Sequence, residues 1–597
     1  MEENKSVHTK SEAPAAEQIE TSEKQVSNLH VDAEEHGHAV KGDDSDGVIQ
    51  WTAKHAIASL SLAGLYVGRC LLSPGDVQKK IQADSVDTGA QIPLYFVGGS
   101  LTFIVHDIGS PEKSSWLPVA NTLAIASIAP FVGYLQDIFG RRNMSLLGGV
   151  AIMVGIVLIG TAHGFGQAVT GMSIAGAGGA VGELTALAGT AELVPVKQRG
   201  LYLAMVTFFV VPFVPYVMYS QLLSTYHTWR WGMWISLIYN GICFLGIAFT
   251  YFPVATRRGD GATKMEIVKS IDYVGGFLSI TGLTLFLVAL QAGGYSHPWT
   301  SAYVLCTLLI GLALILVFIL WEYKFAKNPM VPRQLFRGQR TVAVSYMVAF
   351  VGGMNFFSSL NFFPLEASTV FSPDPVQVGL KGLAGGLGVT MGATLVNAAL
   401  SWFKGWSREL LVGSCILMTA FGGAMGAVTP DTPDRLYIFA ILSGFGIGGV
   451  LVPAATIAIT VAPDEVIATA VALSLSIRVV GGSIGYSIYY NIFYHKLETQ
   501  LPIEIAQAAI KAGLPLTSAE SFVGAFLLDP AALATIPGVT PAVVEAATIG
   551  TRSAYAYALK YVWFTSIGFG VCAIIACLFL GNVKKYMTNR IAAQIVH

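Results

Sequence analysis

Three groups of residues carry the types and spacing that could do chemistry. The first is Glu183, set in the apolar stretch GAGGAVGELTALAG. The second is Arg478, which opens the run Arg478-Val-Val-Gly481-Gly482-Ser-Ile-Gly485. Charged side chains inside apolar segments are costly, and by default they are functional. A carboxyl at Glu183 is suited to gain and lose a proton. Arg478 stays protonated and so needs a carboxylate, backbone carbonyls or an anionic ligand; a structural partner and a substrate contact both remain open for it. The third group is Gly133-Tyr-Leu-Gln-Asp137-Ile-Phe-Gly140-Arg141-Arg142, where a carboxylate and two guanidinium groups lie between two apolar runs. Such a cluster can act as an ionic latch, with Gly133 and Gly140 allowing close helix approach and a tight turn.

The elements that must position these groups follow from composition. Of the 597 residues, 53% are hydrophobic and 12% are charged, about half the charge of a soluble domain. One core cannot hide so much apolar sequence, since cores stop growing beyond ~250–300 residues. The chain is therefore an all-α polytopic membrane protein with the lipid bilayer as its solvent. A soluble enzyme, a secreted disulfide scaffold and a nucleic-acid binder are excluded, and the net charge of −1 gives no footprint for DNA or RNA. The six cysteines form no metal-spaced set and read as small buried hydrophobes.

A spanning helix needs ~20 mostly apolar residues. Thirteen such runs are clear, at about 117–135, 144–163, 167–192, 200–222, 232–252, 273–291, 301–320, 341–363, 379–402, 409–428, 435–460, 467–493 and 557–581. A fourteenth, span 1, is composite. Residues 55–72 and 90–105 are each short, and the polar stretch between them cannot sit in lipid. Residues 69–89 read as an insertion into span 1, of the kind a retained intron would encode. Residues 1–50, with twelve acidic side chains, four Lys and four His, read as a disordered acidic tail.

The expected organisation is an N-terminal bundle over 51–252, a linker with two extra spans over 253–325, C-terminal spans 9–13 over 326–494, an outer loop over 495–556, and a last span and tail over 557–597. The outer loop reads as short amphipathic helices broken by proline, a folded cap over the last pair of spans. With the N-terminus inside, the inner loops carry eighteen basic residues and the short outer loops four. That asymmetry predicts both termini in the cytosol and leaves the Asn143-Met-Ser145 sequon inside and unglycosylated.

Counting from Gln167 at ~1.5 Å per residue places Glu183 about 24 Å down span 4, in the inner half of the bilayer. Glu366, at the outer end of span 9, stands too far out to pair with Arg478. Pro212 and Pro215 in Val210-Val-Pro-Phe-Val-Pro-Tyr216 kink span 5. His106 and Asp107 fall at the outer end of span 1 as interface residues. Tyr95, Phe96, Phe213, Tyr216, Tyr219, Phe356 and Phe357 are candidates to line a pocket for a bulky apolar substrate. Runs such as Gly444, Gly446, Gly448 and Gly449 follow the spacing of close helix packing. A GxxxxGK[ST] loop, an HExxH pair and facing Ser and His are absent. ATP is therefore not the energy source, and an intramembrane enzyme or a receptor is a remote reading.

The Gly133–Arg142 sequence resembles the G-x-L-x-D-x-x-G-R-[RK] signature of the major facilitator superfamily. Pro195-Val-Lys-Gln-Arg199-Gly200, Trp229-Arg230-Trp231, Ile271-Asp272-Tyr-Val-Gly275, Asn328-Pro-Met-Val-Pro332 and the Arg478 run follow in an order similar to the fourteen-span fungal drug:proton antiporters. The likeness covers roughly residues 90–585 and is closest to trichothecene efflux pumps and siderophore–iron transporters. Span 5 lacks the G-P-x-x-G-G pattern frequent in such antiporters. The resemblance implies two six-helix bundles plus two additional central helices, a central cavity, a monomer in the plasma membrane (the vacuolar membrane being the alternative), and alternating access driven by a proton gradient without a cofactor. It implies export of a small amphipathic toxin, drug or metabolite, or else uptake of a ferric siderophore.

Overall fold

In lipid an apolar run can satisfy its backbone only within itself, and this chain does so by helix. A computed structural model describes residues 84–589 and 593–595, apart from 110–115, 209, 251–252, 256–268, 270, 295, 337–339, 372–373, 431 and 529. The acidic tail, residues 55–72 and most of the insertion 69–89 lie outside the described residues. Residues 84–89, the end of that insertion, are helical and run straight into the span.

The N-terminal half contains α1 (Asp84–Gly99), α2 (Leu101–Ile108), α3 (Trp116–Phe139), α4 (Arg141–Gly160), α5 (Phe165–Leu193), α6 (Arg199–Phe208), α7 (Tyr216–Tyr226) and α8 (Arg230–Thr250). A hairpin follows, α9 (Tyr273–Ala292) and α10 (Ala302–Lys324). The C-terminal half contains α11 (Arg340–Glu366), α12 (Pro375–Trp402), α13 (Ser407–Ala424), α14 (Pro433–Val461), α15 (Ile467–Lys511), α16 (Ala519–Leu528) and α17 (Pro541–Leu578). A three-residue antiparallel pair, β1 (Pro253–Ala255) with β2 (Ala593–Ile595), ties the chain after α8 to the C-terminal segment.

Twelve helical segments among the described residues are long and apolar enough to cross a membrane. Two further elements share the N-terminal bundle with them. One is α5, 29 residues long, whose glycines and two glutamates dilute its hydropathy. The other is the α1–α2 pair, bent at Ser100. Each of the thirteen clear spans therefore has a helical counterpart, with α6 and α7 together forming span 5, and the 90–105 part of composite span 1 falls in α1–α2; its 55–72 part lies outside the described residues.

In the first bundle α5 packs on α1, α3 and α4, and α8 on α4. In the second, α14 packs on α12 and α13, and α15 on α11 and α17. The glycine runs perform the expected packing: a Cβ on Gly448 would stand 1.9 Å from the Val389 carbonyl oxygen of α12. The α9–α10 hairpin lies beside α3 and α15. Asp272 starts it by accepting the Gly275 N–H at 2.8 Å and the Trp321 indole N–H at 3.0 Å. Helix α10 leaves Leu309, Ile310, Leu316, Ile319 and Leu320 exposed, a surface made for lipid. Of the cysteines, Cys243, Cys415 and Cys577 are buried as expected, whereas Cys306 and Cys572 are exposed on outer helix faces.

The segment 495–556 folds as the expected cap, but its first and third helices are continuous with the flanking spans. Helix α15 runs unbroken through Pro502 to Lys511, and α17 begins at Pro541, so two spans extend beyond the bundle. Helix α16 packs against α15. Ile505, Ala509, Leu514, Phe522, Val543 and Ala547 form a small core of their own. That apolar stripe repeats at helical spacing, and this keeps the helices continuous where the sequence changes from apolar to amphipathic. The end of the molecule bearing this core is the cap side. The end bearing Asp137 is the latch side.

Candidate functional site: a central cavity and the latch beside it

The two bundles meet along α3–α15 and along α6–α7 with α12. Gly133 sits on the first seam, where a Cβ would come within 2.4 Å of the Ala472 Cβ, so glycine is what allows this approach. We expect Gly133→Val to wedge the seam open, at an overpacking cost of about 1–3 kcal/mol. The check is the rate at which a single cysteine at Ile467, buried in the same seam, is labelled in a background with all six native cysteines replaced. Labelling should accelerate by roughly tenfold or more, each 1.4 kcal/mol being worth a factor of ten. An unchanged rate would contradict the prediction.

Between the seams lies a cavity of about 260 Å³. Helix α1 contributes Gln91 and Tyr95, and α5 contributes Glu183 and Leu187. The break between α6 and α7 supplies Phe213 and Tyr216, α11 supplies Phe356, Phe357 and Phe363, α15 supplies Arg478 and α17 supplies Trp563. The prolines do more than kink span 5. Pro212 lies in a short 3-10 turn, Val211–Phe213, and Pro215 precedes α7, so the helix is interrupted and restarted. The interruption turns Tyr216 toward Tyr95, and their rings stack 4.8 Å apart. Of the candidate aromatics, Tyr95, Phe213, Tyr216, Phe356 and Phe357 line the cavity. Phe96 belongs instead to the core of the first bundle, and Tyr219 is exposed.

The two intramembrane charges meet in this cavity. Arg478 Nη2 donates to Glu183 Oε1, and Gln91 Nε2 donates to Glu183 Oε2 at 2.9 Å. Glu183 belongs to the first bundle and Arg478 to the second, so the ion pair crosses the pathway. Their side chains are 6% and 16% exposed. A largely buried ion pair is stable only with good geometry and extra hydrogen bonds, and Gln91 supplies one. Arg478 Nε has no partner among the described residues. Glu366 takes no part in the pair, and its Oε2 instead accepts the Trp563 indole N–H at 3.0 Å. Sequence reasoning missed Gln91, although a lone amide in the apolar run AQIPLYF was a usable signal.

On the latch side, Asp137 reaches across the seam to the N-terminus of α15. It accepts the Thr469 backbone N–H at 3.0 Å, the Thr469 hydroxyl at 2.6 Å and the Ala468 N–H at 3.3 Å. The first N–H groups of a helix lack partners within it and carry partial positive charge, so an acidic side chain is the fitting cap. Arg141 braces Asp137 at 3.0 Å and also pairs with Glu192 at the end of α5. Gly140 has φ 84°, a left-handed conformation that suits glycine and lets α4 start directly after α3. Arg142 turns the other way and donates to the Ala248 carbonyl of α8 at 2.9 Å, inside the first bundle. The expected latch is therefore built from Asp137 and Arg141, with Glu192 and Thr469 as partners the motif did not reveal.

A second tie lies nearby. Arg199 Nε donates to the Ala191 carbonyl at 2.8 Å, and its Nη1 crosses to the Ile459 carbonyl of α14 at 2.9 Å. At the opposite end of the first bundle, Asp107 accepts from Trp229 at 3.0 Å and Arg230 at 2.6 Å, which joins two of the motifs noted in the sequence.

Known proteins resemble this chain over most of its length. The "MFS-type transporter prx5" of Penicillium rubens is 28% identical over 511 residues, covering 83% of this chain and 89% of the relative. The "Trichothecene efflux pump TRI12" of Fusarium sporotrichioides is 25% identical over 525 residues, covering 84% and 86%. The crystal structure of the human organic anion transporter MFSD10 (TETRAN) matches with TM-score 0.50 at 13% identity, over 88% of this chain and all of that one, a likeness of fold alone. Since the family model described as "Fungal trichothecene efflux pump (TRI12)" matches residues 85–597, from the first described helix through the cap and beyond the last span, the chain belongs to that family and is a multi-pass membrane transporter of the major facilitator type.

Proposed function

We propose that this transporter exports a small amphipathic molecule, a mycotoxin, drug or secondary metabolite, in exchange for protons by alternating access. The observation that carries this reading is the Glu183–Arg478 pair, which joins the two bundles inside the cavity. A proton arriving at Glu183 neutralises its carboxylate and removes the attraction to Arg478. The same protonation removes the acceptor that holds a donor group of the substrate against the aromatic walls, so proton and substrate exclude one another. Loss of the pair weakens the link between the bundles, and they rock about the midplane. Release of the proton restores the pair and readmits the substrate, so the two move in opposite directions.

The eighteen-to-four bias of basic residues supports placing the latch side and both termini in the cytosol. With the latch formed, the cavity is shut from that side. Relatives named as efflux pumps support export; in this reading the protein works in the plasma membrane as a monomer, with the proton gradient as its energy source.

The test is a deletion strain given a panel of trichothecenes and ferric siderophores. Export predicts that mutant cells retain a toxin that wild-type cells expel. Mutant cells that retain no toxin but fail to accumulate a chelate would overturn export in favour of uptake.

A further inference from the structure

One buried carboxylate is left unused by this cycle. Glu366 ends α11, where the α-helix passes into a π-helical turn, Ala367–Phe371, two residues after Pro364. Such turns and prolines concentrate where function bends a helix. Glu366 is 2% exposed and is bordered by the aromatic core of Phe362, Phe363, Phe493 and Trp563. Among the described residues it forms no ion pair, and its one side-chain hydrogen bond comes from Trp563.

The titratable groups on the elements around it are engaged elsewhere or are aromatic. Lys381 of α12 lies with Nζ 5.7 Å from the Phe371 ring centroid. The Tyr489 hydroxyl of α15 donates to Asn355 at 3.3 Å. Lys560 of α17 lies with Nζ 5.6 Å from the Phe564 ring centroid. Tyr486 of α15, Tyr437 of α14 and Tyr555 of α17 complete the set. A full negative charge held by one donor in such a place is costly, whereas a neutral carboxyl is not. The donor is also a cavity wall, since Trp563 lines the same space as Glu183 and Arg478. One indole therefore touches the carboxyl on one side and the pathway on the other.

We propose that Glu366 is a second proton-exchange site of the cycle, housed in the opposite bundle from Glu183 and linked to cavity occupancy through Trp563. This rests on the proton-coupled reading above. The step is a simple transfer: when the Trp563 indole swings aside and a water takes its place, the carboxyl O–H gives its proton to that water, leaving carboxylate and hydronium, and the reverse step restores it. When Glu366 is neutral, the Trp563 N–H loses a charged acceptor and the indole is free to swing into the cavity, where it competes with the substrate. Occupancy of the cavity and protonation of Glu366 are thereby coupled, and the reciprocal effect is required by linkage.

The experiment is infrared difference spectroscopy of the full chain in lipid nanodiscs, stepped from about pH 5 to about pH 9, a range that brackets perturbed carboxyls. The protonated carboxyl bands are read without substrate or gradient. Wild type is expected to show separate bands lost in Glu183→Gln and in Glu366→Gln, and the double variant to lose both. Trp563→Phe should keep the Glu366 band but shift its frequency and midpoint, which a purely structural carboxyl would not do. Glu366→Asp should keep a titrating band and so control for folding. A Glu366→Gln spectrum that superimposes on wild type, or a band unmoved in Trp563→Phe, overturns the proposal. Flux that proved independent of pH with both bands present would instead count against the proton-coupled reading, so the two failures are distinguishable.

Discussion

Glu183→Gln is expected to reduce proton-driven flux to background while the protein still reaches the membrane. Gln keeps the shape of the side chain and can still accept from Arg478 through its one carbonyl oxygen and donate to the Gln91 amide once that amide flips, but it carries no charge and takes up no proton. The structural cost can be bounded. Removing one partner of a buried pair costs about 3–5 kcal/mol when the other charge is left in a dry interior. Arg478 lines an open cavity and is 16% exposed, so water can reach it and the cost falls at or below the low end. Loss of flux must therefore come from the missing proton rather than from unfolding. The double variant Glu183→Gln with Arg478→Gln separates the two effects: it removes the stranded cation, so thermal stability should recover, whereas flux should not. Uptake into vesicles under an imposed pH difference is the measurement, with surface expression as the control. Flux in Glu183→Gln equal to wild type would remove this residue from the mechanism.

The second large effect is expected at the latch. Asp137→Asn retains one oxygen but loses the charge that holds two N–H groups and a hydroxyl of α15 together with Arg141. Hydrogen bonds to charged groups contribute about 1.5–3 kcal/mol each. Losing the charged share of two of them shifts the balance between closed and open latch by roughly 10- to 100-fold, at 1.4 kcal/mol per decade. The variant should spend more time open on the latch side and turn over at least about tenfold more slowly, because the closed state is a required step. Spin labels at Lys197 and Lys404, one on each bundle at this end, should report a longer mean distance in the variant. A distance distribution identical to wild type would show that Asp137 does not hold the bundles together.

The parts of this molecule that sequence exposed are those dictated by solvent and by local geometry. Lipid demands continuous apolar helices, so span positions could be read from hydropathy alone. Span 4 was legible by length, even though its glycines and glutamates leave α5 below the threshold the other helices meet. The contacts of the proposed latch were half visible: Gly133, Asp137, Gly140 and Arg141 sit close together in the chain and meet at the seam, but Glu192 and Thr469 lie 51 and 332 residues from their partners. Arg142 looked equivalent to Arg141, and only the packing of α8 shows that it points elsewhere.

Glu183 and Arg478 each stood out as misplaced charges. That they neutralise one another across 295 residues is a tertiary fact that no local pattern contains. The extended helices of the cap were misread for a different reason. Where a helix leaves lipid it needs no continuous apolar run, so its end cannot be found from hydropathy, and Pro502 looked like a terminator although α15 accommodates it.

The central claim is that cargo and protons move in opposite directions through one cavity whose bundles are joined by Glu183 and Arg478. The most direct measurement uses purified protein in liposomes containing a pH-sensitive dye, with a trichothecene or other exported toxin added outside. Inward movement of the toxin should drive protons out, so the lumen should turn alkaline with wild type and stay unchanged with Glu183→Gln. Toxin entry through the wild-type protein with no pH change, or with acidification, would contradict the account.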